Sequence, residues 1–293
     1  MFDPATVLAA VFGDHLAETY MQAFPDQKTQ YADFLNCTAR KTLEHISTSD
    51  APYHNSEHTM MVTLVGQQII MGQHKTSTVH PEDWLHYIVA LLIHDIGFTR
   101  GACDGDTSNE VVINDTGERV FPPRGATDAY LAPYHVDRGK IYARHRFAGS
   151  DLIDPERIAQ AIEYTRFPVP DDPAFACLES EPALVRAADL IGQIADPYYF
   201  RKISGLYQEF VETGFASKLG YSSPMDLLEQ FPKFFHQQVE PLIGPALEHL
   251  GKTPDGKELI KQLYSRVSQV SCRENTLGPF SGPWGATSLE GDD

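Results

Sequence analysis

The chain has 293 residues and 42% hydrophobic content, enough to bury a sizeable core, and no composition shift or low-complexity linker divides it. Its formal net charge of -17 sets it against nucleic-acid backbones and anionic membranes, so neither a nucleic-acid polymer nor a membrane is an expected partner. Cys37, Cys103, Cys177 and Cys272 form no CxxC pair, which leaves no zinc ribbon and no disulfide framework.

Apolar residues at three- and four-residue spacing predict helices over 3–22, 29–46 and 55–72, the last with Asn55 or Ser56 at its N-cap. Met1-Phe2-Asp3-Pro4 has no basic leader character, so the expectation is a cytoplasmic protein with free thiols. Pro81-Glu82-Asp83 opens a further helix, because proline suits the first turn and acids suit the positive end. That helix runs to about Asp95, where Gly97 can end it, and its apolar run Ile88–Ile93 is far too short to span a bilayer. Residues 97–137 read as an irregular insert rich in Gly, Asp, Thr and Pro. Within it, Val111-Val112-Ile113 and Arg119-Val120-Phe121 flank Asn114-Asp115-Thr116-Gly117, the pattern of a small hairpin. Such an insert is either a lid or a solvated excursion. Helices follow over 138–152, 155–166, 182–195, 198–213, 224–250 and 255–270. The expectation is one all-α domain over 1–273, with 274–293 as a loose tail.

Two short runs concentrate the chemistry: Tyr53-His54-Asn55-Ser56-Glu57-His58 and, thirty-six residues after His58, His94-Asp95. On a helix His54 and His58 would share one face. His94 and Asp95 end a strongly apolar helix, where ionisable groups are costly to bury unless something compensates them. A lone His-Asp dipeptide is expected about once by chance in such a chain, so the combination matters rather than the pair. A metal supplies the compensation, and Asp189 in Ala188-Asp189-Leu190 can complete the donor set.

Together these runs resemble the HD-domain metal-dependent phosphohydrolases, above all the class I cyclic-nucleotide phosphodiesterases. The likeness spans about residues 53–245. It is specific in the first motif, and looser at His145, at Thr165, at Ala188-Asp189-Leu190 with the following Pro197, Ile203, Leu206, Glu209 and Phe210, and at Phe234, Val239, Pro241 and Leu242. The resemblance implies an HD-domain, phosphodiesterase-like helical bundle. It implies a first metal (Zn, Mn or Fe) on His58, His94, Asp95 and Asp189, and a second (Mg or Mn) reached by Asp95 and otherwise held by water. Attack of a metal-bound hydroxide on a nucleotide-like or other small phosphate ester would follow, with Asp95 and His54 catalytic and His54 as general acid. His145 and Thr165 would orient metal-bound water.

Several positions depart from the pattern. The family's histidine three residues after the His-Asp pair is Phe98 here, a family Glu is Tyr142, and the residue after Thr165 is Arg166. In the base pocket the family's glutamine falls on Phe231, one residue and about 100° of helix from Gln230; Gln230 and Phe234 are the candidate base contacts. Basic residues between 119 and 146 suit a phosphate ligand, with Arg124 and Arg138 the chosen contacts; a solvated face is the plain alternative. Asp104 and Asp106 are read as turn residues. Two other functions stay open: a di-iron oxygenase of HD type, which Thr165 disfavours but which His135 could serve from the insert, and a silent metal- and ligand-binding regulatory module. The oligomeric state is open, a homodimer included.

Overall fold

A computed structural model of the chain describes residues 3–271, and its architecture is all-α apart from one two-stranded ribbon. Helix α1 (Pro4–Ala23) starts at Asp3, whose carboxylate accepts the Ala5 N–H, and packs along α2 (Thr29–Ile46). Helix α3 (Ser56–His74) is capped by Asn55, which accepts the Glu57 and His58 N–H groups. Helix α4 (Pro81–Ile93) buries every residue from Trp84 to Ile93, so it lies within the bundle and touches helices on several sides.

The insert begins with a 3-10 turn, Ile96–Phe98, and carries the hairpin: β1 (Val111–Val112) pairs antiparallel with β2 (Arg119–Val120), Val111 opposite Val120. A second 3-10 turn, Asp128–Leu131, leads into α5 (His135–Arg146). The helix expected over 138–152 therefore begins three residues earlier and stops six earlier. Gly149, at φ +71°, sits in the loop that ends it, in a conformation open to glycine at little cost. The irregular insert thus ends before His135, which belongs to the helix.

Helices α6 (Pro155–Glu163), α7 (Glu181–Ala195), α8 (Tyr199–Glu212) and the short α9 (Phe215–Leu219) follow. The helix expected over 224–250 is broken. Helix α10 (Pro224–Phe234) passes into a π turn, Phe235–Val239, and a 3-10 turn, Glu240–Leu242, before α11 (Gly244–Leu250). Pro241 explains the break, since it donates no backbone hydrogen bond and its ring clashes with the preceding turn. Helix α12 (Pro254–Ser271) closes the described chain. One cluster of buried apolar side chains reaches from Ala9 to Val270. The tail expected over 274–293 lies outside the described residues. Among the described residues, no helix is long and apolar enough to cross a membrane.

Two close approaches bring the elements that carry the candidate ligands together. Helices α3 and α7 meet at Gly192, where an added Cβ would lie 2.9 Å from the Cα of Val62. Val62 is one turn past His58, and Gly192 is three residues past Asp189, so this contact sets the two ligand candidates face to face. At Gly97 an added Cβ would lie 1.9 Å from the His135 carbonyl oxygen, so the turn after Asp95 abuts the start of α5. Gly192→Ala is expected to push α7 off α3 and cost about 1–3 kcal/mol, as overpacking does, measured as a lower urea midpoint with an unchanged slope.

Candidate metal centre

Four side chains from three elements converge in the buried space where α3, the end of α4 and α7 meet. His58 Nε2 lies 3.2 Å from Asp95 Oδ2 and 3.3 Å from Asp189 Oδ1. His94 Nε2 lies 3.1 Å from the same Asp95 oxygen and 3.7 Å from the same Asp189 oxygen. Adjacent ligand atoms around an ion at 2.0–2.2 Å are separated by about 2.8–3.6 Å for octahedral to tetrahedral arrangements. The separations of 3.1, 3.2 and 3.3 Å fall in this range, and the 3.7 Å from His94 Nε2 to Asp189 Oδ1 lies just outside it.

The hydrogen bonding points the same way. His94 Nδ1 donates to the Leu91 carbonyl at 2.7 Å, which aims Nε2 inward, toward Asp95 and Asp189. His58 Nε2, His94 Nε2 and Asp95 Oδ2 are all buried with no hydrogen-bond partner among the described residues. Buried polar atoms are ordinarily paired, and three orphans aimed at one point fit a shared cation. Burial alone would lower the His94 pKa, but the charges of Asp95 and Asp189 win and hold it well above its ordinary value. Both carboxyls are held below theirs: burial opposes this, and the facing imidazoles outweigh it. The site attracts positive charge, which a proton or a metal ion can supply. His58, His94 and Asp189 can together hold a metal ion, and so can His54, His58 and Asp95.

His54 is bound to a residue that local sequence patterns do not single out as its partner. Glu209 of α8, 2% exposed, accepts from His54 Nδ1 at 2.5 Å and from the backbone N–H groups of Tyr53 and His54. Burial lowers the His54 pKa, but the charge and hydrogen bond of Glu209, with help from Asp95 and Asp189, raise it to about 9. His54 is therefore protonated at neutral pH in the metal-free chain. Phe98 stands where the resemblance expects a histidine. It stacks on His54 at 4.3 Å and on His135 at 4.4 Å, between the two imidazoles.

His135, which from the sequence alone is only a residue that could swing in, is at the centre. Its Nδ1 donates to the Ala132 carbonyl at 2.6 Å, and its Nε2 lies 3.8 Å from the second oxygen of Asp95, Oδ1. Burial lowers its pKa, with Asp95 opposing, so the ring stays neutral and its lone pair stays open. Asp95 thus turns one oxygen to His58 and His94 and the other to His135.

Other expected site residues are elsewhere. Arg138 is fully buried and spends all five N–H groups on the protein: on the carbonyls of Gly97, Thr99 and Val112 and on both oxygens of Asp106. No donor remains for a substrate, so the contact expected of Arg138 is corrected to a structural one. Asp106 is its counter-charge rather than a turn residue alone. His145, expected to orient metal-bound water, is exposed beside Asp104 at 3.3 Å. It lies at the C-terminal end of α5, while His135 occupies the end that faces Asp95. Thr165 is buried, with its hydroxyl donating to the Ile162 carbonyl of its own helix end at 2.8 Å. Arg124 is exposed on the loop after β2, and Arg166 pairs with Glu163 and Asp137. Gln230 is exposed, whereas Phe231 is buried against Tyr199; Phe234 is half-buried, edge-on to Phe167.

A family model described as Npun_R2479-like matches residues 2–273 of the chain. No curated protein matches it.

Two outcomes are expected at this centre. Zinc or manganese added to chelated protein should raise the melting temperature, and His58→Ala should abolish that rise. In the metal-free protein the surroundings of His54 together, Glu209 foremost among the groups that favour its charge, contribute about 3 kcal/mol. Because the folded pKa is raised, this contribution is complete below pH 6.5 and is lost as pH rises through about 9. Glu209→Gln should return the His54 titration toward its ordinary value, read from the imidazole resonances by NMR; an unmoved titration would contradict this origin.

Proposed function

The chain belongs to the Npun_R2479-like family, and we propose that its buried His and Asp centre makes it a metal-dependent phosphohydrolase acting on a small phosphate ester. The observation that carries this reading is the convergence of three orphaned ligand atoms on one point, with a cationic His54 alongside. His58, His94, Asp95 and Asp189 would hold the ion. A divalent ion there supplies the charge that activates water and neutralises phosphoryl oxygens. Imidazole with carboxylate suits zinc, manganese or iron.

The chain's own groups divide the remaining work. Glu209 fixes His54 through Nδ1, which leaves the Nε2 proton as the one His54 can give. A protonated imidazole set in that way can donate to the departing alkoxide of an ester. Phe98, packed flat on His54, limits the ring's rotation. The likeness of Tyr53-His54-Asn55-Ser56-Glu57-His58, His94-Asp95 and Ala188-Asp189-Leu190 to HD-domain phosphohydrolases supports the same reaction class. A nucleotide-like diester is the first substrate to try, with magnesium or manganese added for the second position.

One observation favours a second reading. His135 faces the far oxygen of Asp95, so a second ion could have a protein nitrogen rather than water alone. A tightly held pair of irons, and with it oxygen-dependent oxidation of a small substrate, is the alternative this geometry serves.

Hydrolysis of phosphomonoesters and diesters should be abolished by chelation and lowered at least about a thousandfold by Asp95→Ala. His54→Ala should keep the metal and lower the rate by about 10²–10⁴. Two irons per chain, oxygen uptake and no ester hydrolysis would overturn the hydrolase in favour of the oxygenase; a silent protein with metal bound would leave neither enzyme standing.

A further inference from the structure

Arg186 of α7 is 2% exposed, and its Nε, Nη1 and Nη2 are all buried without a hydrogen-bond partner among the described residues. Other arginines are provided for. Arg138 has Asp106, Arg157 has Asp83 and Glu181, and Arg166 has Asp137 and Glu163. What Arg186 has is an aromatic face: its guanidinium carbon lies 5.5 Å from the centre of the Tyr164 ring. A ring face attracts the charge of a guanidinium and leaves its N–H fork without an acceptor. Burial presses the pKa of this group down, and Tyr164 only partly opposes it. An unpaired buried cation is among the most costly features a core can hold.

The surroundings offer a way in. The connection from α6 to α7, residues 164–180, covers Tyr164. It is held there by the Tyr164 hydroxyl donating to the Ala174 carbonyl and by Phe175 stacked on the ring at 4.5 Å. The 3-10 turn in this connection, Pro173–Ala176, buries none of its residues. Over the Tyr164 ring, the cover rests on this hydroxyl and this ring stack, and the start of the segment is held by Arg166 paired with Asp137 and by Phe167 against Phe234. Arg186 precedes Asp189 by three residues, and long side chains on a helix lean toward its N-terminus. The guanidinium lies against Tyr164, on the α6 side of this turn of α7.

We propose that Arg186 is a buried oxyanion site, in which a phosphate or carboxylate group enters beneath the 166–180 segment and takes the N–H fork of the guanidinium. A planar, bidentate acceptor of one negative charge or more matches the fork. The site is defined by Arg186 and Tyr164, neither of them among the candidate metal ligands, and does not depend on the phosphohydrolase reading.

The test uses the full-length chain after chelation, so that no metal recruits the anion. Inorganic phosphate and malonate are titrated separately by calorimetry, which distinguishes a phosphoryl ligand from a carboxylate one. One of them should bind saturably and raise the melting temperature by several degrees. Arg186→Met should weaken that binding at least tenfold, and without anion it should melt no lower than the wild type, since the unpaired cation is gone. If Arg186→Met does not fold, the Nε–H resonance of Arg186 in the unaltered protein should shift on titration with the same anion. No heat, no melting shift and no resonance shift with either anion would overturn the proposal, as would binding that survives Arg186→Met undiminished.

Discussion

The arrangement of this protein depends on one constraint: lone pairs that converge in a buried space need a positive charge between them. The imidazole nitrogens of His58 and His94 are brought within 3.1–3.7 Å of carboxylate oxygens of Asp95 and Asp189, with all but Asp189 buried. The rest of the bundle is built to hold them there against their mutual cost. Helix α4 is apolar on every side, so it carries His94 and Asp95 into the interior at its end. Gly192 lets α7 close on α3, and Gly97 lets the following turn close on α5. Without those approaches the donors would not share a point at which a cation could be held.

Much of this centre is legible in the sequence because its main donors sit in short, local patterns. His54 and His58 flank a helix start, His94 and Asp95 end an apolar run, and Asp189 follows a small-residue pair. Glu209 shows in the sequence only as a match to a motif, not as the partner of His54, because 155 residues separate them and no local pattern records the pairing. His135 falls at the edge of an irregular insert, because Gly- and Pro-rich sequence ahead of it obscures where α5 begins. Pro133 two residues before it is the available signal, since proline is favoured around helix starts.

Arg138 and His145 lie on one helix but are assigned to the site on different grounds. Arg138 stands among several basic side chains, which in a linear reading suggest an anion-binding surface, whereas His145 is placed at the site by the family resemblance. Helix phase separates them. Arg138 turns inward to meet Asp106, a residue whose turn-like neighbours hide its charge pairing, while His145 is exposed at the far end of the same helix. Composition identifies the charges but not their counter-charges when those lie across a loop. The fold class is within reach because helical periodicity is local. The break after Phe234 is harder to see, because Pro241 stands out as a motif match and its effect on the backbone is felt a turn earlier.

Arg138 also divides the insert mechanically. Its five bonds gather Gly97, Thr99, Asp106 and Val112 into a fixed root beside the start of α5, whereas the hairpin tip, Asp115 to Glu118, is exposed. The tip touches α5 through the exposed pair Asp115–Arg144, nine residues from His135, so chain added or removed there would strain that pair before it reached His135 and Asp95. The insert is free to change its length and reach as a surface feature while the donor geometry beneath it stays the same.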